Sequence, residues 1–71
     1  MVDIIKSKGN YYRIDSQYTV DDSFEIACAG YKITVSSCDA NGNTFCELYT
    51  EWHANKETME MRHKFICSHL K

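Results

Sequence analysis

Proline is absent from the 71-residue chain, and glycine occurs only three times. Because these two residues interrupt helices and strands most strongly, their scarcity excludes a flexible linker and predicts regular elements joined by short turns. Long hydrophobic runs are also missing. None approaches the ~20 residues of a membrane-spanning helix, and the N-terminus lacks the apolar core of a signal peptide. We therefore expect a cytoplasmic protein without membrane contact, folded as one domain over residues 1–71.

A basic surplus is absent as well, since 8 Lys and Arg residues stand against 10 Asp and Glu residues, a formal net charge of −2. Nucleic-acid binding depends on clustered cations that displace counterions from phosphates. The basic residues of the N-terminal half are instead dispersed among acids: Lys6, Lys8, Arg13 and Lys32. We do not expect a nucleic-acid partner.

Four cysteines occur without a single Cys-x-x-Cys pair: Cys28, Cys38, Cys46 and Cys67. In a chain without an export signal, cysteines are expected to remain reduced and to pack as small hydrophobes. A disulfide stays open as the alternative, and four cysteines allow three connectivities.

A metal site is the sharpest chemical candidate, because His63 and Cys67 are one helical turn apart. Further candidate ligands come from the predicted sheet and the C-terminus: Cys38, Cys46, His53 and His69. Structural zinc sites usually take their ligands in closely spaced pairs, and these cysteines are not paired in that way. We therefore predict no metal and no other cofactor, and a small Cys/His metal-binding regulator is kept as the alternative.

Motifs that specify a reaction are missing from the chain. A nucleophilic enzyme needs Cys or Ser beside a positioned base. The pairs Cys46/His53 and Cys67/His63 arise by chance in any chain with four Cys and three His. No Gly-x-Ser-x-Gly, His-Glu-x-x-His or Walker pattern occurs, and so small a domain has little volume for a substrate pocket. We predict that the protein is not an enzyme and has no catalytic residues.

The N-terminal third has the pattern of two strands. Val2–Lys6 is a short apolar segment typical of an edge strand, and Lys8-Gly9-Asn10 predicts a turn because Gly and Asn tolerate positive φ. Tyr11–Tyr18 then alternates as a half-buried strand does. Four of its residues share one face: Tyr12, Ile14, Ser16 and Tyr18.

Residues 20–29 fit a helix or a hairpin. In the helix, Thr19 is the N-cap, Asp22 lies near the positive end of the dipole, and Gly30 ends the helix at positive φ. In the hairpin, the strands meet across Ala29-Gly30, so that Phe24, Ile26 and Cys28 face Tyr31, Ile33 and Val35. Ala-Gly is a poor two-residue turn. We predict the helix.

The second half has a clear hairpin pattern. Tyr31–Cys38 and Thr44–His53 read as strands, and Asn41-Gly42 between them is the strongest turn signal in the chain. In the second strand we predict an inward set of Cys46, Leu48 and Trp52. The opposite set then faces outward: Phe45, Glu47, Tyr49 and Glu51.

The segment from residue 55 to residue 70 again has two interpretations. Met59, Met61, His63 and Phe65 alternate with polar residues, as in a strand. A helix capped by Asn55 gathers an apolar stripe instead, and we predict that helix. The fold class is then α+β: a small mixed sheet of three or four strands with two helices on one face. A mostly-β small barrel or sheet is the alternative.

The sheet face away from the helices is the predicted interaction surface. Aromatic side chains surrounded by charge are typical of protein-recognition surfaces. The predicted partner-binding residues are Tyr11, Arg13, Phe45, Glu47, Tyr49 and Glu51. Homodimerisation through the same face is the second interpretation.

The overall profile is that of a small, mildly acidic chain without catalytic motifs. This profile resembles small phage-encoded inhibitors of bacterial defence, such as anti-CRISPR proteins. The resemblance rests on the profile alone and assigns no residue. It implies a non-catalytic module that binds a larger protein or complex of the host cell and inhibits or modulates it. The alternative function is a small metal-binding or nucleic-acid-binding regulator that uses the Cys/His set.

Overall fold

Four strands and one C-terminal helix form the part of the chain described by the computed structural model, residues 1–21 and 28–70. The elements are β1 (Val2–Ser7), β2 (Asn10–Asp21), β3 (Cys28–Cys38), β4 (Thr44–His53) and α1 (Lys56–Leu70). The sheet has the order β1-β2-β3-β4, and every neighbouring pair is antiparallel. The α+β class is confirmed. The predicted mixed sheet and second helix are wrong, because each strand pairs with its neighbour in sequence.

The predicted helix over 20–29 is replaced at both of its ends by strand. β2 continues to Asp21 and β3 begins at Cys28, with Val20 paired to Ala29. The alternative turn at Ala29-Gly30 is therefore wrong as well. The central residues of this segment, Asp22, Phe24 and Ile26 among them, lie outside the described residues. Pairing along two long strands outweighs the local capping signals that favoured a helix.

Gly30 lies inside β3 with an extended backbone and does not end a helix at positive φ. A Cβ added there would lie 3.2 Å from the carbonyl oxygen of His53 and 3.4 Å from the ring of Trp52. Glycine therefore lets the Trp52 ring lie close over the backbone of the neighbouring strand.

Both predicted turns are confirmed. Lys8 and Gly9 have φ values of 51° and 83°, the left-handed conformation that a two-residue antiparallel turn requires. Gly42 has φ 87°, and the Asp39 carboxylate accepts hydrogen bonds from the backbone N–H groups of Asn41 and Asn43. Hydrogen bonds from Asn43, first of all from its side chain, lower the pKa of Asp39.

The predicted C-terminal helix is confirmed, together with its cap. The Asn55 side-chain oxygen accepts the Thr58 N–H at 2.8 Å, which satisfies one of the unpaired donors of the first turn. The helix lies on one face of the sheet and buries Met59 and His63. A small core forms beneath it: Ile5, Ile14, Ile33, Val35 and Met59.

The predicted phase of β4 is wrong. The pairing of β3 with β4 skips one residue of β4 at two places. The first is Leu48, between the pairs Val35–Tyr49 and Ser36–Glu47. The second is Phe45, between the pairs Ser37–Cys46 and Cys38–Thr44. Leu48 and Phe45 are therefore extra residues in two β-bulges, and each bulge breaks the alternation of faces. The predicted inward residues Cys46, Leu48 and Trp52 are all exposed.

Candidate interaction surface

Strand β4 is an unpaired edge of the sheet within the described residues. It carries four exposed large hydrophobic side chains: Phe45, Leu48, Tyr49 and Trp52. Helix α1 adds exposed Met61 and Phe65. Isolated exposed hydrophobic residues are normal on small proteins, but this many on one edge strand and the adjoining helix mark a candidate interaction site.

The two bulges turn apolar side chains outward. Phe45 is 73% exposed and Leu48 is 54% exposed, the two positions at which β4 has no partner residue on β3. β-Bulges interrupt the ladder of an edge strand and redirect a side chain. Phe45 keeps most of its surface exposed and Leu48 about half, so both side chains add less to the stability of the domain than a buried side chain does.

Arg62 joins this edge to the helix. Its guanidinium donates two hydrogen bonds to the Glu51 carboxylate, Nε to Oε2 at 3.0 Å and Nη2 to Oε1 at 2.9 Å. The same guanidinium lies 5.0 Å from the centre of the Phe65 ring. The His69 ring stacks on the Phe65 ring, with the two ring centres 4.8 Å apart. Glu51, Arg62, Phe65 and His69 thus form one cluster. The helix side of β4 is therefore held in one arrangement by a charged pair and two ring contacts.

The electrostatics of the pair follow from this geometry. The hydrogen bonds from Arg62 lower the pKa of Glu51 from 4.5 to about 2, and partial burial opposes that shift. The hydrogen bond with His53 and the nearby Tyr49 hydroxyl lower it further. The Glu51 carboxylate in turn raises the pKa of Arg62.

We define the β4–α1 surface as six solvent-accessible residues of β4 and α1: Phe45, Leu48, Tyr49, Met61, Arg62 and Phe65. Arginine and aromatic side chains are the residue types enriched among the residues that contribute most to binding at protein interfaces. A bidentate pair that holds Arg62 in place also lowers the entropy that the side chain would lose on binding.

The six predicted partner-binding residues do not share one face. Tyr11, Arg13 and Glu47 lie on the open face, whereas Glu51 is opposite core residue Ile33 and lies on the helix side. Tyr49 is opposite core residue Val35 and is also on the helix side. Phe45 is in a bulge. The bulge at Leu48 separates Glu47 from Tyr49, although simple alternation places them together.

Four members of the β4–α1 surface were not among the predicted partner-binding residues: Leu48, Met61, Arg62 and Phe65. Phe65 and Met61 fall outside the apolar stripe of the predicted helix, and their exposure follows from that helical spacing. The contact of Arg62 with Glu51 has no comparable signal, because it depends on how α1 crosses the sheet.

The open face of the sheet carries a polar groove of about 330 Å³. Its lining comes from three strands: Arg13, Asp15, Gln17, Thr34, Ser36 and Thr44. The Arg13 guanidinium donates a hydrogen bond to the Gly42 carbonyl at 3.1 Å and lies 3.5 Å from the Asp15 carboxylate. None of these six lining residues is a large hydrophobic one, so the groove offers less apolar area to a partner than the β4–α1 surface does.

A chain of Ser, His and Asp side chains lies beneath the helix. The Ser16 hydroxyl hydrogen-bonds Nδ1 of His63, and Nε2 of His63 is 2.6 Å from an Asp3 oxygen. These residue types occur in hydrolase triads, but there the serine must reach a substrate. Ser16 is 2% exposed and His63 is 1% exposed. This arrangement joins β1, β2 and α1 and cannot attack a substrate without unpacking the helix.

Acid is expected to weaken the domain through Glu51. Because the folded-state pKa is the lower one, the ionised carboxylate stabilises the fold above about pH 4.5, and that contribution is lost as the pH falls towards 2. Its side chain is 11% exposed. We expect the free energy of unfolding to fall by roughly 2 kcal/mol between pH 4.5 and pH 2.

Urea denaturation at pH 7, 4.5 and 3 measures this loss. Glu51→Gln is expected to be less stable than the wild type at pH 7. Its free energy of unfolding should fall less than that of the wild type when the pH is lowered. Glu47→Gln, an exposed residue of the same strand, serves as the matched control with the wild-type profile. Identical acid profiles for wild type and Glu51→Gln would contradict the assignment.

The fold defines a class, a small α+β domain with an open four-stranded antiparallel sheet and one C-terminal helix in its described part. No protein-family model matches the chain, and no curated protein or solved structure matches it either. Within the described residues, no helix has the length and apolar character needed to cross a bilayer.

Proposed function

We propose that the protein is a non-catalytic module that binds a larger protein through the β4–α1 surface and modulates its activity. The observation that carries the proposal is the pair of bulges that turn Phe45 and Leu48 outward on β4, an edge strand of the sheet as far as the structure describes it. Exposed apolar groups that add little to folding are available to bury surface against a partner.

The proposed mode is docking of side chains rather than addition of a strand. Strand addition needs a regular row of backbone N–H and C=O groups along the edge. Bulges at Phe45 and Leu48 interrupt that row over the first half of β4, which is also a known protection against edge-to-edge aggregation. Aromatic anchors seated in pockets of the partner are the remaining source of affinity.

The proposed partner is a protein or complex of the host-cell cytoplasm, and the proposed effect is inhibition by covering a surface or holding one conformation. The resemblance of the profile to phage-encoded inhibitors of bacterial defence supports this choice. A second copy of the chain is the competing occupant.

The test compares variants of the β4–α1 surface with a matched aromatic control. Phe45→Ala and Phe65→Ala are expected to weaken binding of a co-purified bacterial protein by about 2 kcal/mol or more, roughly thirtyfold in Kd. Their Tm should change little, because surface substitutions typically cost within ±0.5 kcal/mol. Tyr18→Ala removes an exposed aromatic from β2, which is separated from β4 by strand β3, and should leave binding intact.

The outcomes separate the surfaces. If Phe45→Ala and Phe65→Ala bind as tightly as the wild type, the interface lies elsewhere. Arg13→Ala then tests the open-face groove. A wild-type dimer in sedimentation equilibrium that Phe45→Ala converts to monomer would assign the surface to self-association. Glu47→Lys is expected to slow association with a basic partner and to alter its salt dependence.

A further inference from the structure

Three side chains with metal-binding atoms converge between β1 and α1. The ligand atoms of Asp3, His63 and Cys67 all lie within 4.8 Å of one another. His63 and Cys67 are four residues apart on one face of the helix, and Asp3 faces them from the edge strand. No sequence pattern identifies Asp3 as a metal ligand, because it is 60 positions from His63 in the chain.

The donor set selects a class of metal. One nitrogen, one thiolate sulfur and one carboxylate oxygen are all ligands of zinc, whereas Mg²⁺ and Ca²⁺ take oxygen ligands. The two anionic ligands Asp3 and Cys67 would balance the charge of a divalent ion. A neutral site of this kind avoids most of the cost of burying a charge beneath the helix.

Ser16 is placed to orient the histidine ligand. Metal-binding histidines usually donate their second ring N–H to a neighbouring acceptor, which fixes the ring and its tautomer. Ser16 lies at Nδ1 of His63 and can accept that proton, which leaves Nε2 to bind the ion. The Cys67 thiol loses its proton when the sulfur–metal bond forms, so binding releases one proton to solvent.

A zinc ion fits between these ligand atoms after a small movement of Asp3. Ligand atoms on a tetrahedral zinc ion are about 3.3 Å apart or slightly more, whereas Nε2 of His63 and Oδ2 of Asp3 are 2.6 Å apart. Asp3 must therefore withdraw by somewhat less than 1 Å, roughly the difference between these distances. Its carboxylate is half exposed on an edge strand, which gives it room to move and provides a path of entry for the ion.

We propose that Asp3, His63 and Cys67 bind one zinc ion, with a water molecule as the fourth ligand on the solvent side. The ion fastens edge strand β1 to the second half of α1. This site is separate from the β4–α1 surface, so it stabilises the domain without taking part in the proposed protein binding.

The test uses the full chain stripped with chelator under reducing conditions and then titrated with Co²⁺ and Zn²⁺. We expect one Co²⁺ per chain, with the near-ultraviolet thiolate charge-transfer band and the visible bands of tetrahedral cobalt, all displaced by Zn²⁺. At a free zinc concentration one hundred times the Kd, Tm is expected to rise by roughly 10–20 °C.

Variants locate the site. Cys67→Ser should abolish the charge-transfer band, and Asp3→Ala should weaken zinc binding at least tenfold. Cys46→Ser, which removes an exposed thiol on β4, is the matched control and should bind as wild type does. Circular dichroism of each metal-free variant checks folding. No thiolate band in wild type, or a band that survives Cys67→Ser, would overturn the proposal.

Discussion

Replacing Ile14 with alanine is expected to destabilise the protein by about 3–4 kcal/mol. Ile14 is fully buried on central strand β2 and belongs to a core of only a few side chains. A domain of this size has a total stability of roughly 4–10 kcal/mol, so this one substitution removes a large share of it. The reason is the lost transfer free energy of three carbon atoms together with the cavity that remains.

Urea denaturation of Ile14→Ala beside two further variants measures this effect. Ile14→Val should cost only about 0.5–1.5 kcal/mol, because most of the buried volume is kept. Ile4→Ala is the matched control, since Ile4 is an isoleucine of the same sheet that is 41% exposed. Similar losses for Ile4→Ala and Ile14→Ala would show that the helix does not cover the face assigned to it.

Replacing His63 with alanine is expected to cost about 3 kcal/mol when chelator is present. The substitution creates a cavity beneath α1 and leaves the buried Ser16 hydroxyl without its hydrogen-bond partner. It also removes the contact with Asp3 that ties edge strand β1 to the helix. The penalty is large because a buried polar group without a partner loses its hydration and gains nothing in return.

A double-mutant cycle with Ser16→Ala separates the two contributions. We expect a coupling energy of about 1 kcal/mol or more between Ser16 and His63, because the two side chains are in direct contact. His69→Ala is the control, since His69 is an exposed histidine of the same helix. If His63→Ala is no more destabilising than His69→Ala, the hydrogen-bonded chain does not contribute to stability.

Local signals in the sequence were sufficient for the turns and for α1. Gly9 and Gly42 adopt the positive φ that their neighbours lead one to expect, and Asn55 caps the helix with its own side chain. Each of these features depends on a few adjacent residues. Their conformational preference is therefore present in the sequence whatever the rest of the chain does.

Local signals failed where long-range pairing had the larger effect. Thr19 and Gly30 have the residue types of a helix start and a helix end, yet they face one another as paired residues of β2 and β3. Backbone pairing along these strands, together with the contact of the Tyr18 and Tyr31 rings at 5.2 Å, outweighs a cap and a stop signal. The sum of many cross-strand pairs exceeds the preference of two end positions.

The candidate site was predictable only in part. Phe45 and Tyr49 are exposed, as the predicted phase of β4 required, but the open face predicted for Tyr49 is wrong. Which face each residue occupies did not follow, because a bulge shifts the alternation by one residue and leaves no mark in the pattern of polar and apolar residues.

By itself, the sequence determined the α+β class, both glycine turns, the C-terminal helix and the alternation of β2 and β3, since all of these depend on neighbouring residues. Only the tertiary structure decided the bulges at Phe45 and Leu48, the pairing of Glu51 with Arg62, and the meeting of Asp3 with His63 and Cys67. The physical reason is that such contacts depend on strand register and on the path of α1 across the sheet. Both are set by packing between segments far apart in the chain.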